Sequence, residues 1–351
     1  MMATTKPSSN ARKTYIITHS YTHFLALDLA LPSLLRGEVV MRKAKIGDKV
    51  MTLREAIKKF VNDGDTVYTG MAGRSFGAVY EIIRQHKRNL TVMCGGGTEE
   101  ISMLVGAGCV RRLINSYRGL ETWGLSHAIR RAVERGIPRP IEIEEYSNFS
   151  ITAGFVAAAI GVPFMPVKSL LGSDIVRVST FMGDKKLRVI ECPFTGEKVV
   201  VVPALSPDVA IVHAQRADRY GNVQMWGFLG DDLWAVRAAK KVIVTVEEIV
   251  DEEVIRRDPN RTVFPSFIVD AIVELPFGQH PWHKEGYYDM DLEFREMYVK
   301  MEEEEETLQK FFDEWVYGVE DHMGYLRKLG FERLWKLRAK HVYCYPVNYG
   351  Y

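Results

Sequence analysis

The sequence predicts an α/β fold: an open, mostly parallel sheet with helices on both faces, followed by a C-terminal helical extension. Three observations predict it. From residue 52 onward, short β-branched or aromatic runs alternate with segments of helical period. The runs at 199–202, 209–212 and 242–246 are apolar throughout, as strands buried on both faces are. After Pro276 the strand signals stop and helical periodicity takes over.

The elements follow in order. Thr52 suits an N-cap, with Glu55 as its capping-box partner, and Leu53, Ala56, Ile57 and Phe60 recur at helical spacing. A turn at 62–65 leads to a strand at 66–69, a glycine-bearing loop at 70–77, and a helix with Val79, Ile82 and Ile83 on one face. Residues 90–93 read as a strand closed by Gly95, Gly96 and Gly97. Glu99 and Glu100 then open a helix, where negative charge suits the dipole. A strand is expected at 112–116, a helix at 126–134, a strand at 141–144, and at 149–160 a helix whose small residues suit close packing. An irregular hairpin is placed at about 172–198. Residues 277–290 read as a loop rich in aromatics and histidine, and 291–340 as helices. The acidic run 302–306 is expected to be a solvated helix face. The chain thus divides into 1–40, an extension outside the core with Met41 as an alternative start; 41–276, the α/β domain; and 277–351, the loop and helical extension.

Composition excludes several functions. Lys+Arg is 46 and Asp+Glu is 45, a net charge of +1, whereas duplex-DNA binders carry a basic surplus. No stretch reaches the ~18 apolar residues of a membrane span. Asp28 and Pro32 interrupt the apolar segment at 24–35, which makes a poor signal peptide. Cys94, Cys109, Cys192 and Cys344 form neither a C-x-x-C pair nor a zinc spacing, so reduced thiols in a cytoplasmic protein are expected. No metal and no permanently bound cofactor is expected.

Several constellations could carry chemistry. Residues 73–77 spell G-x-S-x-G, but three residues separate the strand from Gly73, so the sharp turn that would present Ser75 as a nucleophile is missing. The loop lacks G-x-G-x-x-G spacing, and no P-loop occurs. Two strand-to-helix loops, 70–77 and 94–98, are instead expected to offer backbone N–H groups to a carboxylate, phosphate or thioester oxygen, with Arg74 as a positive charge. Glu144 and Glu145 adjoin Ser147 and Asn148, either of which would cap the 149–160 helix. One of the two glutamates should point inward, with a raised pKa suited to acid–base work. His213 is placed at a strand end, with turns at Asp218 and at Gly221-Asn222. His280, Trp282, His283 and Glu285 are read as a surface cluster rather than a metal site.

The segments DGDTVYTGMAG (63–73), AVYEIIRQHKRNLTVMCGGG (78–97), IEEYSNFSITAGFVAAAIGVPFMPVKSLLGSD (143–174) and IVHAQRADRYGNVQMWG (211–227) together resemble the family I CoA-transferases. The resemblance covers about 50–275 and points to the α (A) subunit of the glutaconate CoA-transferase type. It implies a CoA-transferase-like fold and a ping-pong reaction on a coenzyme A thioester. A glutamate carboxylate takes the CoA as a glutamyl-CoA thioester, and in two-subunit members that glutamate lies on a homologous β (B) subunit. This chain shows no convincing version of the motif that carries it. No catalytic residue is therefore expected here, and the enzyme would be a hetero-oligomer using neither nucleic acid nor membrane. Substrate-binding roles fall on Gly70, Gly73, Arg74, Ser75, Gly95, Gly96, Gly97, Ser147 and Asn148. The family's first loop reads closer to G-G-F-G followed by proline, whereas here it is Gly70-Met71-Ala72-Gly73. Two alternatives come from related proteins: a ring-cleaving hydrolase of CoA thioesters, for which Glu145 would be the acidic residue, and a non-catalytic scaffold subunit.

Overall fold

A computed structural model describes residues 47–339. The 1–40 extension and Cys344 lie outside the described residues.

The first half winds outward in one direction. Helix α1 (Leu53–Phe60) starts from the expected capping box of Thr52 and Glu55. Strand β1 (Thr66–Tyr68), helix α2 (Phe76–Arg84), β2 (Leu90–Gly97), α3 (Glu99–Gly106), β3 (Val110–Arg118), α4 (His127–Arg135) and β4 (Glu142–Glu145) follow. Helix α5 (Asn148–Ile160) is capped by Ser147, whose hydroxyl accepts from the Ser150 amide. The chain then returns to the other side of β1 through β8 (Val209–Ala217), α6 (Asp232–Ala238), β10 (Lys241–Ile249), α7 (Glu252–Arg257) and β12 (Ala271–Glu274). Seven strands run parallel in the order β4-β3-β2-β1-β8-β10-β12. Winding in opposite directions from β1 and β8 is expected to put helices on opposite faces, and the helices pack in two groups: α1, α2, α3 and α4 in series, and α5 on α6. The strands β9 (Val223–Gln224) and β11 (Thr262–Phe264) add an antiparallel pair beside the end of β8.

Three expectations about elements need correction. The 199–202 run does not join the parallel sheet. It lies in β7 (Lys198–Pro203), between β5 (Phe164–Val167) and β6 (Arg188–Glu191) in a separate antiparallel sheet, with alternate residues buried. Its valines are the alternating pattern of a one-sided sheet, which repeated valine disguises. The hairpin is therefore β6–β7, later than the 172–198 placed from sequence. Finally, Gly95, Gly96 and Gly97 do not form a loop: β2 runs through all three and pairs Gly96 with Tyr117 and Gly97 with Arg118.

The C-terminal extension forms α8 (Leu292–Glu302), α9 (Glu305–Phe312), α10 (His322–Leu329) and α11 (Phe331–Leu337). Phe294, Tyr298, Phe311, Phe312 and Tyr325 belong to the same buried cluster as the sheet. The acidic run is not uniformly solvated. Glu302 is fully buried and accepts from the His127 and Ala128 amides, both at 2.8 Å, placing a negative charge at the start of α4. Glu303 to Glu306 are exposed. Among the described residues no helix is long and apolar enough to cross a membrane. Cys94, Cys109 and Cys192 are free thiols, the first two buried.

Candidate active site

The strand order reverses between β1 and β8, and open α/β sheets bind ligands beyond the strand carboxyl ends at such a point. β1 has three residues, while β8 runs on to Ala217. The loop after β1 occupies the freed edge of β8, and the His213 amide donates to the Gly73 carbonyl at 2.8 Å. The approach is too close for a side chain: a Cβ on Gly73 would lie 2.5 Å from the His213 carbonyl oxygen.

Two adjacent carboxylates that sequence reasoning missed, Asp231 and Asp232, form the floor, 2% and 0% exposed. Asp232 accepts from the Met71 amide at 2.7 Å and the Gly73 amide at 2.6 Å. Asp231 accepts from the Gly95 amide at 2.9 Å. A Cβ on Gly95 would sit 2.5 Å from Asp231 Oδ2, so glycine is what admits the carboxylate. The Tyr68 hydroxyl lies 2.5 Å from Oδ1 of each aspartate. Burial, then the Asp232 charge, pushes the Asp231 carboxyl up to about 6. Three of the backbone donors expected to meet a substrate oxygen are thus held by the chain's own carboxylates. The Gly-Asp-Asp at 230–232 carried the same signal as Glu144-Glu145, adjacent carboxylates just before an apolar helix.

Arg74 and Ser75 lie behind this loop, both buried. Arg74 Nε is 3.4 Å from Glu100, and its guanidinium stacks on Trp282 at 4.3 Å. Its charge is engaged internally, contrary to the expected anion pairing. Ser75 Oγ is 2.9 Å from Thr245 Oγ1, which is 2.8 Å from His213 Nδ1. His213 Nε2 in turn is 2.6 Å from Glu247. Burial lowers the His213 pKa against the pull of Glu247. A neutral ring donating to Glu247 leaves Nδ1 to accept from Thr245, so the chain runs Ser75, Thr245, His213, Glu247. His213 sits in the middle of β8, not at its end, because the strand continues past the apolar run into Gln215 and Arg216.

The 277–290 segment straps across this arrangement. Gln279 donates to the Ala72 carbonyl at 2.9 Å, Lys284 to the His213 carbonyl at 3.0 Å, and the Tyr288 hydroxyl to Glu247 at 2.9 Å. Arg295 of α8 pairs with Glu99 at 2.7 Å and also stacks on Trp282. His280 is not a surface residue: it is buried between Tyr325 at 2.5 Å and Asp291 at 2.9 Å. His283 is partly exposed, 3.7 Å from Glu285. Among the described residues, no group of three or more His, Cys, Asp or Glu side chains is placed to hold a metal.

At the end of β4, Glu144 is buried and Glu145 exposed. The buried glutamate does not have the raised pKa expected of it. Burial pushes it up, but Lys186 at 3.0 Å, the Ser179 hydroxyl and the Phe181 and Met182 amides outweigh that and hold it below the usual carboxylate range. Glu145 pairs with Arg118 at 2.7 Å. Ser147 caps α5, Asn148 begins it, and the Ser116 hydroxyl bridges Asn148 to the Gly95 carbonyl. The β2, β3 and β4 ends are therefore joined to the aspartate floor through Gly95. A cavity of about 560 Å³ opens at the opposite end of the strands, between Asp63, Asn89, Arg111 and Arg139, and contains none of these residues.

Comparison with known proteins identifies the family. The sequence profile of the family described as Coenzyme A transferase matches residues 50–275. The chain is 39% identical to the A subunit of 3-oxoadipate CoA-transferase from Pseudomonas knackmussii, over 80% of this chain and 98% of that protein. It is also 39% identical to the A subunit of glutaconate CoA-transferase from Acidaminococcus fermentans, over 83% of this chain and 95% of that one. The crystal structure of the A. fermentans enzyme superposes with a TM-score of 0.77, covering 83% of this chain and 96% of that chain. A cholesterol ring-cleaving hydrolase IpdA subunit of Rhodococcus jostii is more distant, 29% identical over 78% of this chain and 94% of that protein. The chain belongs to the Coenzyme A transferase family and is a transferase of its A-subunit type.

Proposed function

We propose that this chain is the A subunit of a cytoplasmic two-subunit enzyme that moves CoA between an acyl-CoA and a small carboxylic acid. A dicarboxylate of the glutaconate or 3-oxoadipate kind is the substrate class that the relatives' names support. The nucleophile is a glutamate of a homologous B subunit. It attacks the thioester carbonyl and expels the CoA thiolate. The thiolate then attacks the glutamyl carbonyl of the mixed anhydride, releasing the first acid and leaving glutamyl-CoA. The second acid takes the CoA by the reverse steps. This chain shapes the acyl side through Gly70, Gly73, Gly95, Gly96, Gly97, Ser147 and Asn148, while Arg74 and Ser75 brace the first loop from behind.

The observation that carries this reading is the commitment of the chain's own carboxylates. Around the strand ends Glu99, Glu100, Glu144, Glu247, Asp231 and Asp232 are buried. Each accepts hydrogen bonds from donors of its own chain. Glu145 is held by Arg118. A carboxylate whose lone pairs are taken by donors is a poor nucleophile, which supports an attacking oxygen from another chain. Steady-state kinetics test this. Mixing the chain with its B subunit should give ping-pong CoA exchange, and neither chain alone should exchange CoA. Full exchange by this chain alone would refute the proposal.

The R. jostii relative, a subunit of a cholesterol ring-cleaving hydrolase, supports ring-cleaving hydrolysis as a second reading, in which Glu145 would be the acid. Glu145→Gln separates the two. It should abolish ring hydrolysis but leave CoA transfer close to wild type.

A further inference from the structure

Hydrogen counting at the crevice floor gives a result that the fold alone does not. Tyr68 carries one hydroxyl hydrogen. Its oxygen nevertheless lies 2.5 Å from Asp231 Oδ1 and 2.5 Å from Asp232 Oδ1. Oxygens this close are joined by a hydrogen, and with none between them they repel. Two contacts need two hydrogens. Tyr68 supplies one, so a carboxyl supplies the other. Asp232 accepts from amides on both oxygens, Met71 on Oδ1 and Gly73 on Oδ2. Asp231 accepts from the Gly95 amide on Oδ2, and among the described residues Tyr68 is the side chain bonded at its Oδ1, which makes Oδ1 the oxygen to carry the proton.

We propose that Asp231 is held protonated on Oδ1 and donates to Tyr68, which donates to Asp232, and that this relay positions the two glycine stretches framing the crevice. Asp232 holds the loop after β1, Asp231 holds the end of β2, and Tyr68 joins them. Losing the proton leaves two adjacent carboxylates with one hydrogen between them. One contact must then open, and Gly95 or the loop moves with it. Asp231 is therefore a positioning residue, and its ionisation sets a basic limit on activity. The link to activity rests on the transferase reading; the proton itself does not.

The surroundings support this assignment. The titratable groups facing Asp231 are Tyr68 from β1, Cys94 from β2 and Asp232, none of them a cation. Burial pushes the Cys94 thiol up as well. The nearest cations act on Asp232 instead, and both have other partners: Arg74 pairs with Glu100, and Lys284 donates to the His213 carbonyl. The raised pKa of Asp231 is in the direction that the count requires.

Two measurements on the assembled enzyme test the proposal. In infrared spectra with carbon-13-labelled aspartate, wild type should show the carbonyl stretch of a protonated carboxylic acid, and Asp231→Asn should lose it. In the pH profile of kcat/KM, wild type should show a basic limb, and Asp231→Asn, whose amide can donate to Tyr68 at every pH, should lose that limb. If Asp231→Asn does not fold, wild type decides: an aspartate acid band that titrates away as pH rises supports the relay. Absence of such a band at any pH, or an unchanged limb in Asp231→Asn, would overturn it. A band without CoA transfer would leave the proton in place and overturn the transferase reading instead.

Discussion

The end of β4 and the crevice floor each hold two carboxylates adjacent in sequence, and the two regions treat them differently. In β4, strand alternation sends Glu144 inward and Glu145 outward. At the entrance to α6 both Asp231 and Asp232 turn inward, because a turn imposes no alternation. Burial alone does not decide the charge state. Glu144 meets Lys186 and a turn of amides, and its pKa falls. Asp231 meets a tyrosine, backbone amides and another carboxylate but no cation, and its pKa rises. Partners set the ionisation of a buried carboxyl, and of these two only the one without a cationic partner has a proton to lose near pH 6.

Breaking the first region should have the largest effect. Lys186→Met leaves Glu144 charged, buried and unpaired, and should cost about 3–5 kcal/mol of stability in urea unfolding. A loss too small to resolve would show that the turn amides suffice. The next effect sharpens the contrast through pH. The folded Glu144 pKa is lowered, so its stabilisation is full above the ordinary carboxylate range and fades as pH falls through the folded value. The folded Asp231 pKa is raised, so its stabilisation is full below that range and is lost as pH rises through about 6, on the order of 3 kcal/mol in all. Asp231→Asn should flatten the fall in stability between about pH 4 and about pH 6, and Glu144→Gln the loss at lower pH. A single shared response would erase the distinction. The smallest effect belongs to Glu145→Gln, which removes an ion pair whose carboxylate side chain is 51% exposed. It should change stability by less than about 1 kcal/mol.

Local rules made much of the fold legible. The Thr52 capping box, the Ser147 cap and the alternation of strands and helices depend on a few neighbouring residues, and the structure contains each of them. Illegible features depended on contacts across the chain. Glu302 sits in an acidic run that reads as solvated, and only the packing of α8 against α4 brings it to a helix start. Gln279 and Lys284 sit in a loop, and only the fold lays that loop over β1 and β8. At the site, the glycines at 70–73 and 95–97 were visible, but not the aspartates that occupy their amides, which come from more than 130 residues away. Arg74 and Ser75 read as ligand contacts because their buried partners, Glu100 and Thr245, lie on other elements.

The central claim is that this chain shapes the acyl pocket while a companion chain supplies the attacking oxygen. Trapping tests it most directly. The two chains are incubated with acyl-CoA and borohydride, digested, and the modified peptide is identified by mass. The reduced glutamate should lie on the B subunit, with every carboxylate of this chain intact. A modified glutamate or aspartate on this chain would contradict the account.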